Sequence, residues 1–211
     1  RISNMAPYFK KTDYCLKDFV KDKDSLAFYT HLDTQKLKSD ILSEISPCNH
    51  YFDKVYIITY FTERTRWQPM YNRLRKIGIY NFSVISGDNI KPDSIPDGMI
   101  NNLRNDHLKH NSNYIKGVVS CKRAHYKAIE TAYKEGYNNI LILEDDVLFN
   151  DDFNSRFRET IETVEKNSWD MLYFSAIHDS PCIYLGNSLM RMTGSLGSYA
   201  YAVNNVIIKV L

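Results

Sequence analysis

Short apolar runs of strand length, separated by segments with helical periodicity, constrain the fold of this chain more than any other feature. Between the runs, apolar residues recur every three or four positions, as in amphipathic helices. The runs are rich in β-branched and aromatic residues and lie at 55–59 (VYIIT), 82–86 (FSVIS), 140–143 (ILIL), 169–175 (WDMLYFS) and 199–203 (YAYAV). Strands that alternate with helices form βαβ units. The sequence therefore predicts an α/β fold with a mostly parallel central sheet.

Two of the helical segments end at a glycine. The first carries an apolar stripe over 67–77 and stops at Gly78. The second begins at about 117, has a stripe of small and apolar residues over 121–132, and stops at Gly136. Glycine tolerates the left-handed conformation with which many helices end. Both segments are therefore predicted to be helices that connect strands.

The remaining segments are a capped helix, a final helix and a long loop. The helix with its stripe over 153–164 follows two aspartates, and either Asp151 or Asp152 is predicted to cap it with its side chain. A last helix is predicted to begin at Asn204. Residues 88–116 are polar, contain two prolines and are predicted to form a loop. Loops of this length in compact domains are often functional.

The first fifty residues differ from the rest of the chain. They are rich in lysine and only weakly periodic. Leu37, Ile41 and Ile45 share one face of a predicted helix, and Pro47 is expected to end it. We therefore predict two parts: an N-terminal helical extension over 1–50 and an α/β domain over 51–211.

The composition narrows the classes of partner. A net charge of +2 over 211 residues gives no support to a nucleic-acid-binding surface, so no nucleic-acid partner is expected. No apolar run approaches the roughly 20 residues that span a bilayer, so no transmembrane segment is expected. The four cysteines lie far apart and show no metal-binding spacing. The compartment stays open, with the cytoplasm favoured over the secretory pathway.

Three consecutive acids follow the apolar run at 140–143. Glu144, Asp145 and Asp146 would repel one another, and partial burial would increase the repulsion. In an extended chain, Glu144 and Asp146 point to one side and Asp145 to the other. A divalent cation would relieve the repulsion, and hard oxygen ligands suit Mg²⁺ or Mn²⁺. A solvated strand end or a helix-capping cluster is the alternative interpretation.

The position of these acids favours a nucleotide ligand. In open α/β sheets, ligands bind beyond the carboxyl ends of the strands. A metal that is held by two protein carboxylates keeps coordination positions for substrate phosphates. The chain has no P-loop lysine motif that would bind phosphates directly. The pattern therefore predicts binding of a nucleoside diphosphate through a metal ion.

Five motifs, in order, resemble those of glycosyltransferase family 25, the lipopolysaccharide and collagen galactosyltransferase family. They are VYIITYFTERTRW (55–67), ISGDN (85–89), GVVSCKRAH (117–125), LILEDDVLFNDDF (141–153) and GSYAYAV (197–203). The resemblance covers about 55–211. Two positions depart from the family pattern, since Ala124 replaces the usual serine and Tyr199 the usual histidine. The chain also stops within the last helix, where family members continue, so we expect the domain to be incomplete.

The resemblance implies a GT-A-like, Rossmann-type fold that binds nucleotide sugars. It implies a metal-dependent transferase, with Mn²⁺ or Mg²⁺ as cofactor, that moves galactose or glucose from a UDP-sugar with inversion. The acceptor would be a hydroxyl of a glycan or of a hydroxylated protein. The alternative is a catalytically inactive domain of this fold, used for binding or structure. A metal-dependent phosphohydrolase is disfavoured because no D-x-D-x-T motif is present.

The acidic triplet supplies the predicted metal ligands and one contact to the donor. Asp146 is predicted to bind the metal directly, and Glu144 to face the metal or the donor ribose through water. The metal would neutralise the charge that builds on the leaving nucleoside diphosphate. Asp145 is predicted to contact the sugar.

Other donor contacts are predicted at the ends of the first two strands. The residues Thr59, Tyr60, Thr62 and Arg64 leave the first strand where a uridine or its phosphates would lie. Asp88 follows the second strand and could bind the base or the ribose. A solvated helix face is the alternative for Arg64, and a turn position is the alternative for Asp88.

The remaining candidates are His125 and Asp179. His125 lies on the apolar stripe of its helix with Cys121, which is interpreted as a small buried hydrophobe. The resemblance implies that His125 contacts the donor; a hydrogen-bonded core histidine is the alternative. An inverting transfer needs a general base. We predict Asp179, which follows the run at 169–175, and a loop-capping aspartate is the alternative.

Overall fold

The computed structural model of this protein describes residues 45–59, 64–87, 112–186 and 189–210. Nearly all of the predicted N-terminal extension therefore lies outside the described residues, including Leu37 and Ile41. Pro47 stands directly before a one-turn helix, α1 (Cys48–Tyr51). Among the described residues, no helix is long and apolar enough to cross a bilayer.

Four strands of the central sheet run in one direction. These are β1 (Lys54–Thr59), β2 (Phe82–Ser86), β3 (Asn139–Glu144) and β4 (Met171–His178). β1 lies between β2 and β3 and pairs with both in parallel. The α/β class that the sequence predicts is confirmed, and the carboxyl ends of these four strands lie at one edge of the sheet.

The expectation of a mostly parallel sheet is only partly met. A hairpin of β5 (Ile183–Gly186) and β6 (Leu189–Arg191) follows β4, and the chain then re-enters the sheet as β7 (Ser195–Asn204). β7 lies between β3 and β4 and is antiparallel to both, so the sheet is mixed, in the order β2-β1-β3-β7-β4. A parallel return to the sheet needs a long crossover, usually a helix. In its described residues, the connection from β4 to β7 contains only the small hairpin, so β7 runs the opposite way.

The helices lie between the strands, as the periodicity predicts, and the last one follows β7. They are α2 (Arg64–Lys76), α3 (Ser112–Lys134), α4 (Phe153–Val164) and α5 (Asn205–Val210). Gly78 and Gly136 have φ angles of 80° and 71°, which explains why glycine ends the first and second of the predicted helices.

The predicted loop over 88–116 extends too far at its C-terminal end. α3 begins at Ser112, so residues 112–116 are helical, and 88–111 lie outside the described residues. Residues 112–116 contain neither glycine nor proline. The helix that the stripe predicts therefore extends back through them without a residue that would stop it.

The prediction that an aspartate side chain caps α4 is wrong for Asp152, the residue at the cap position. Asp152 precedes the helix, but its side chain makes no capping hydrogen bond. Its carboxylate instead accepts a hydrogen bond from Arg156 Nε at 2.6 Å. The arginine lies one turn further along the same helix, within reach of the aspartate. The Asp152 carboxylate therefore bonds to a side chain of the helix and not to the free backbone amides at its start.

Side chains of β3 alternate between two cores. Leu141 and Leu143 pack on the side of α2 and α4, and Ile140 and Ile142 pack on the side of α3. The small residues of α3 allow the helix to approach the sheet closely; Ala124, Ala128 and Ala132 are fully buried there. Because alternate residues of a strand face the same side, Glu144 falls on the α3 side.

Candidate functional site

The carboxyl ends of the parallel strands lie side by side. Ile58 is paired with Glu144 across β1 and β3, and Thr59 is paired with Ser86 across β1 and β2. The Thr59 carbonyl also accepts a hydrogen bond from the Gly87 amide at 3.0 Å. Thr59 itself is buried, with 2% of its surface exposed. The predicted donor-site residue Thr59 and the predicted metal ligand Glu144 thus end neighbouring strands.

Helix α3 packs directly on this edge through Gly87. A Cβ atom at Gly87 would lie 2.0 Å from Ser120 Oγ and 2.5 Å from the Ser120 carbonyl oxygen. Such distances are far below van der Waals contact, so only glycine fits this close approach. Ser120 is buried. The contact places the first half of α3 beside the ends of β2 and β3.

Glu144 is held in place by a residue that is distant in sequence. Ser198 Oγ donates a hydrogen bond to Glu144 Oε1 at 2.9 Å. Ser198 belongs to β7, next to Gly197, whose φ angle is 90°. The Glu144 side chain is 23% exposed. One carboxylate oxygen is therefore fixed by the protein while the side chain stays accessible to solvent.

His125 joins the same network from α3. Its Nε2 lies 3.3 Å from Ser198 Oγ and 3.7 Å from Glu144 Oε1, and its Nδ1 lies 2.9 Å from the Tyr201 hydroxyl. The His125 and Tyr201 rings are stacked, with centroids 5.6 Å apart. Burial raises the pKa of Tyr201, and the nearby Tyr173 adds to the rise, so its hydroxyl stays protonated. His125 is thus both a hydrogen-bonded core residue and a neighbour of the first acid.

The three acids occupy three different environments. Glu144 is the last residue of β3, and the next two residues form a turn that the Val147 amide closes on the Glu144 carbonyl at 3.3 Å. Asp145 is 6% exposed, whereas Asp146 is exposed to solvent. The strand alternation that was used to pair Glu144 with Asp146 therefore ends at Glu144. The direction of the Asp146 side chain is therefore set by the turn and not by the alternation of side chains along β3.

The ligand chemistry of these acids suits a hard divalent cation. Glu144 and Asp146 offer only carboxylate oxygens, which Mg²⁺ and Mn²⁺ prefer. Asp146 is exposed and Glu144 is partly exposed, so both are accessible from solvent. Two carboxylates fill fewer positions than the six that such ions take, and the rest remain for water or substrate oxygens. The residues present therefore fit the predicted cofactor.

The other predicted donor contacts at the ends of the first two strands are only partly described. Tyr60, Thr62 and Asp88 lie outside the described residues. Arg64 is the first residue of α2, and its side chain lies outside the described part of the structure. Among these candidates, Thr59 is the one that the structure brings to the edge of the sheet beside Glu144.

Asp179, the predicted general base, directly follows β4. Since β4 runs in the same direction as β3, Asp179 emerges at the same edge of the sheet as Glu144. It is exposed, and Ser180 Oγ donates a hydrogen bond to its Oδ1 at 3.1 Å. Gly194 lies so close that a Cβ atom there would be 2.4 Å from Asp179 Oδ1. The carboxylate is thus packed against the segment that leads into β7.

Ser198 and Tyr201 are site residues that the sequence reasoning did not single out. Both belong to the GSYAYAV motif, which resembles the family pattern as a whole but assigns no separate role to either residue. Cys121 was interpreted only as a small hydrophobe, yet it lies beside His125 and Glu144. The spacing of Cys121 and His125, four residues apart on one helix, was the signal that could have identified the pair.

Comparison with known proteins gives one family and several partial relatives. The model of glycosyltransferase family 25 (LPS biosynthesis protein) matches residues 52–180, more than half of the chain. The inactive glycosyltransferase 25 family member 3 of Homo sapiens is 37% identical over 68 residues, which are 31% of this chain and 11% of that protein. The probable inactive member 3 of Rattus norvegicus is 35% identical over 68 residues, 31% of this chain and 12% of that protein. The match thus spans about a tenth of the relatives' length.

Proposed function

Because this chain belongs to glycosyltransferase family 25, we propose that it is a metal-dependent hexosyltransferase that uses a UDP-sugar. The hexose is galactose or glucose, and the acceptor is a hydroxyl of a glycan or of a hydroxylated protein. The fold we propose is GT-A-like, and the α/β sheet with its acidic strand end supports this. The observation that carries the proposal is the Glu144-Asp145-Asp146 turn at the carboxyl edge of the parallel strands.

Glu144 and Asp146 are the proposed metal ligands. Ser198 and His125 hold the Glu144 carboxylate in one orientation before any ligand arrives. Such preorganisation avoids the cost of ordering the ligand side chain during binding. When bound, the cation supplies positive charge that stabilises the diphosphate leaving group.

The remaining acids and the strand ends form the proposed donor pocket. Asp145 is proposed to contact the sugar, and Asp88 the base or ribose. His125 is proposed to contact the donor from α3. The residues proposed to contact the uridine or its phosphates are Thr59, Tyr60, Thr62 and Arg64.

The transfer itself needs a base on the acceptor side. We assign this role to Asp179, whose carboxylate is exposed at the same edge of the sheet as Glu144. Asp179 takes the proton of the acceptor hydroxyl as the acceptor oxygen bonds to the anomeric carbon. The bond from that carbon to the UDP oxygen breaks on the opposite face, and the configuration inverts.

A second candidate function is a binding or structural domain without catalysis. The mammalian relatives favour it, because their names describe them as inactive or probable inactive members of the family. In that case the donor pocket would bind UDP without turning over a UDP-sugar.

UDP release separates the two candidates. The protein is incubated with UDP-galactose or UDP-glucose and Mn²⁺, with and without hydroxylysine peptides and glycan acceptors, and the released UDP is measured. We expect release above that of an Asp146→Asn variant. Retained UDP binding with no release above that variant supports the inactive domain. If neither UDP nor a UDP-sugar binds in the presence of Mn²⁺, both candidates are wrong.

A further inference from the structure

Three side chains of different chemistry meet where α3 packs on the end of β3. Cys121 and His125 are four residues apart and lie on one face of the helix, and Glu144 ends the strand that faces them. One potential ligand atom from each lies within 4.8 Å of the other two. All three residues are partly buried. We call these residues the mixed-ligand cluster.

The ligand types of the mixed-ligand cluster select a different metal from the one that two carboxylates select. Thiolate and imidazole are softer ligands than carboxylate, and together they suit Zn²⁺ better than Mg²⁺ or Mn²⁺. Catalytic zinc sites commonly have three protein ligands of this kind and an open fourth position. The mixed-ligand cluster provides three such ligands from two rigid elements.

The distances are close to those of a tetrahedral site. Bond lengths of about 2.0–2.3 Å place neighbouring zinc ligands roughly 3.5 Å apart. His125 Nε2 and Glu144 Oε1 are already 3.7 Å apart. Even the upper bound of 4.8 Å within the cluster exceeds this spacing by only about 1.3 Å. Small side-chain rotations are enough to close this gap.

We propose that Cys121, His125 and Glu144 form a zinc site. Ser198 Oγ, at 2.9 Å from Glu144 Oε1 and 3.3 Å from His125 Nε2, lies beside two of the ligand atoms. Its hydroxyl is thus placed to bind a water in the fourth position. The inference does not rest on the proposed donor site, with which it shares Glu144 and His125 but not Cys121.

Cobalt substitution tests the site without any change to the protein. The tag-free protein is stripped of metal with a chelator, exchanged into clean buffer and titrated with Co²⁺. We expect the strong visible bands of tetrahedral Co²⁺ together with a thiolate-to-cobalt charge-transfer band, and both should vanish when Zn²⁺ is added. A spectrum of octahedral Co²⁺ without a thiolate band would overturn the proposal.

Matched cysteine variants then identify the ligand. Cys121→Ser should weaken Zn²⁺ binding at least about 100-fold, the upper end of what loss of a mere supporting residue costs, and should abolish the thiolate band. Cys182→Ser is the control, because Cys182 is also partly buried but lies before the β5–β6 hairpin. It should leave Zn²⁺ affinity unchanged. Equal Zn²⁺ affinity in both variants and in the unmodified protein would overturn the site.

Two variants test the proposed zinc site and the proposed Mn²⁺ site independently. Cys121→Ser should keep any Mn²⁺-dependent binding of UDP, because Cys121 is not part of the proposed donor site. Asp146→Asn should keep the Co²⁺ spectrum, because Asp146 is not part of the mixed-ligand cluster. Loss of the cobalt spectrum in Asp146→Asn, with an unchanged spectrum in Cys121→Ser, would show that the soft-metal assignment is wrong.

Discussion

The hydroxyl of Ser198 lies 2.9 Å from the carboxylate of Glu144, although the two residues are 54 positions apart in the chain. The contact exists because β7 enters the sheet between β3 and β4 and runs antiparallel to both. It ties the antiparallel strand to the acidic end of a parallel one. The orientation of Glu144 therefore depends on a part of the chain that lies beyond the family match at 52–180.

Loss of the Ser198 hydroxyl should destabilise the fold. Ser198→Ala removes a hydrogen bond to a partly buried carboxylate, and we expect a loss of about 1–2 kcal/mol in the free energy of unfolding. Ser195→Ala is the control on the same strand, since Ser195 Oγ is buried and has no hydrogen-bond partner among the described residues. That variant should be neutral or slightly more stable. Denaturant unfolding of both variants checks this, and equal losses would contradict it.

Two glycines should respond to alanine with opposite signs. Gly87→Ala would place a Cβ atom 2.5 Å from the Ser120 backbone carbonyl oxygen, which cannot rotate away, so we expect a loss of about 1–3 kcal/mol, as at other overpacked sites. Gly117→Ala lies within α3 and meets no atom within 4 Å. It should stabilise the protein by up to about 1 kcal/mol through helix propensity. Melting curves of the two variants test this. An unchanged melting temperature in Gly87→Ala would refute the close approach of Gly87 to Ser120.

The thiol of Cys48 should make the protein sensitive to alkaline pH. Burial raises the pKa of this thiol to about 12, whereas an unfolded thiol ionises near about 8.5. Its folded-state pKa is the higher one, so its contribution to stability is complete below about 8.5 and is lost as the pH rises towards about 12.

Cys48→Ala measures this contribution. The variant should be less stable than the unmodified protein at neutral pH, because it leaves a cavity. The difference should shrink by about 2 kcal/mol between pH 8 and pH 10. Denaturant unfolding at several pH values tests this, with Ser195→Ala, which removes no titratable group, as the control. A difference that stays constant over this range would contradict the prediction.

The strands and helices could be predicted because local patterns determine them. The run FSVIS coincides with β2, and Gly78 and Gly136 end their helices through a left-handed residue. The direction of β7 could not be read from its own residues, since it depends on the short connection that follows β4. The predicted Asp152 cap is absent because its carboxylate accepts a hydrogen bond from Arg156 instead.

Part of the candidate site could also be predicted, because local sequence patterns determine it. The acids were identified because they directly follow an apolar strand. Ser198 was missed because the pairing of β7 with β3 stops at Ala200, so the strand alternation does not determine its direction. The proximity of Cys121 to Glu144 was missed because the two residues belong to different elements. Contacts between distant segments require the topology, which local patterns do not contain.

We propose that the first acidic pair, not the second, binds a metal that holds UDP. Asp146 is exposed in the turn after β3, and Asp152 is exposed at the start of α4, where it pairs with Arg156. Asp146→Asn removes a proposed metal ligand and should relieve carboxylate repulsion, so its stability without metal should not fall. Asp152→Asn removes an exposed ion pair, which is worth less than about 1 kcal/mol.

The most direct test is calorimetric titration of UDP into the unmodified protein and both variants, with Mn²⁺ and with excess chelator. We predict that Mn²⁺ tightens UDP binding in the unmodified protein and in Asp152→Asn, and that this effect disappears in Asp146→Asn. Equal UDP affinity with Mn²⁺ and with chelator in the unmodified protein would contradict the metal-bridged site. Loss of binding in Asp152→Asn with retention in Asp146→Asn would place the site on the other acidic pair.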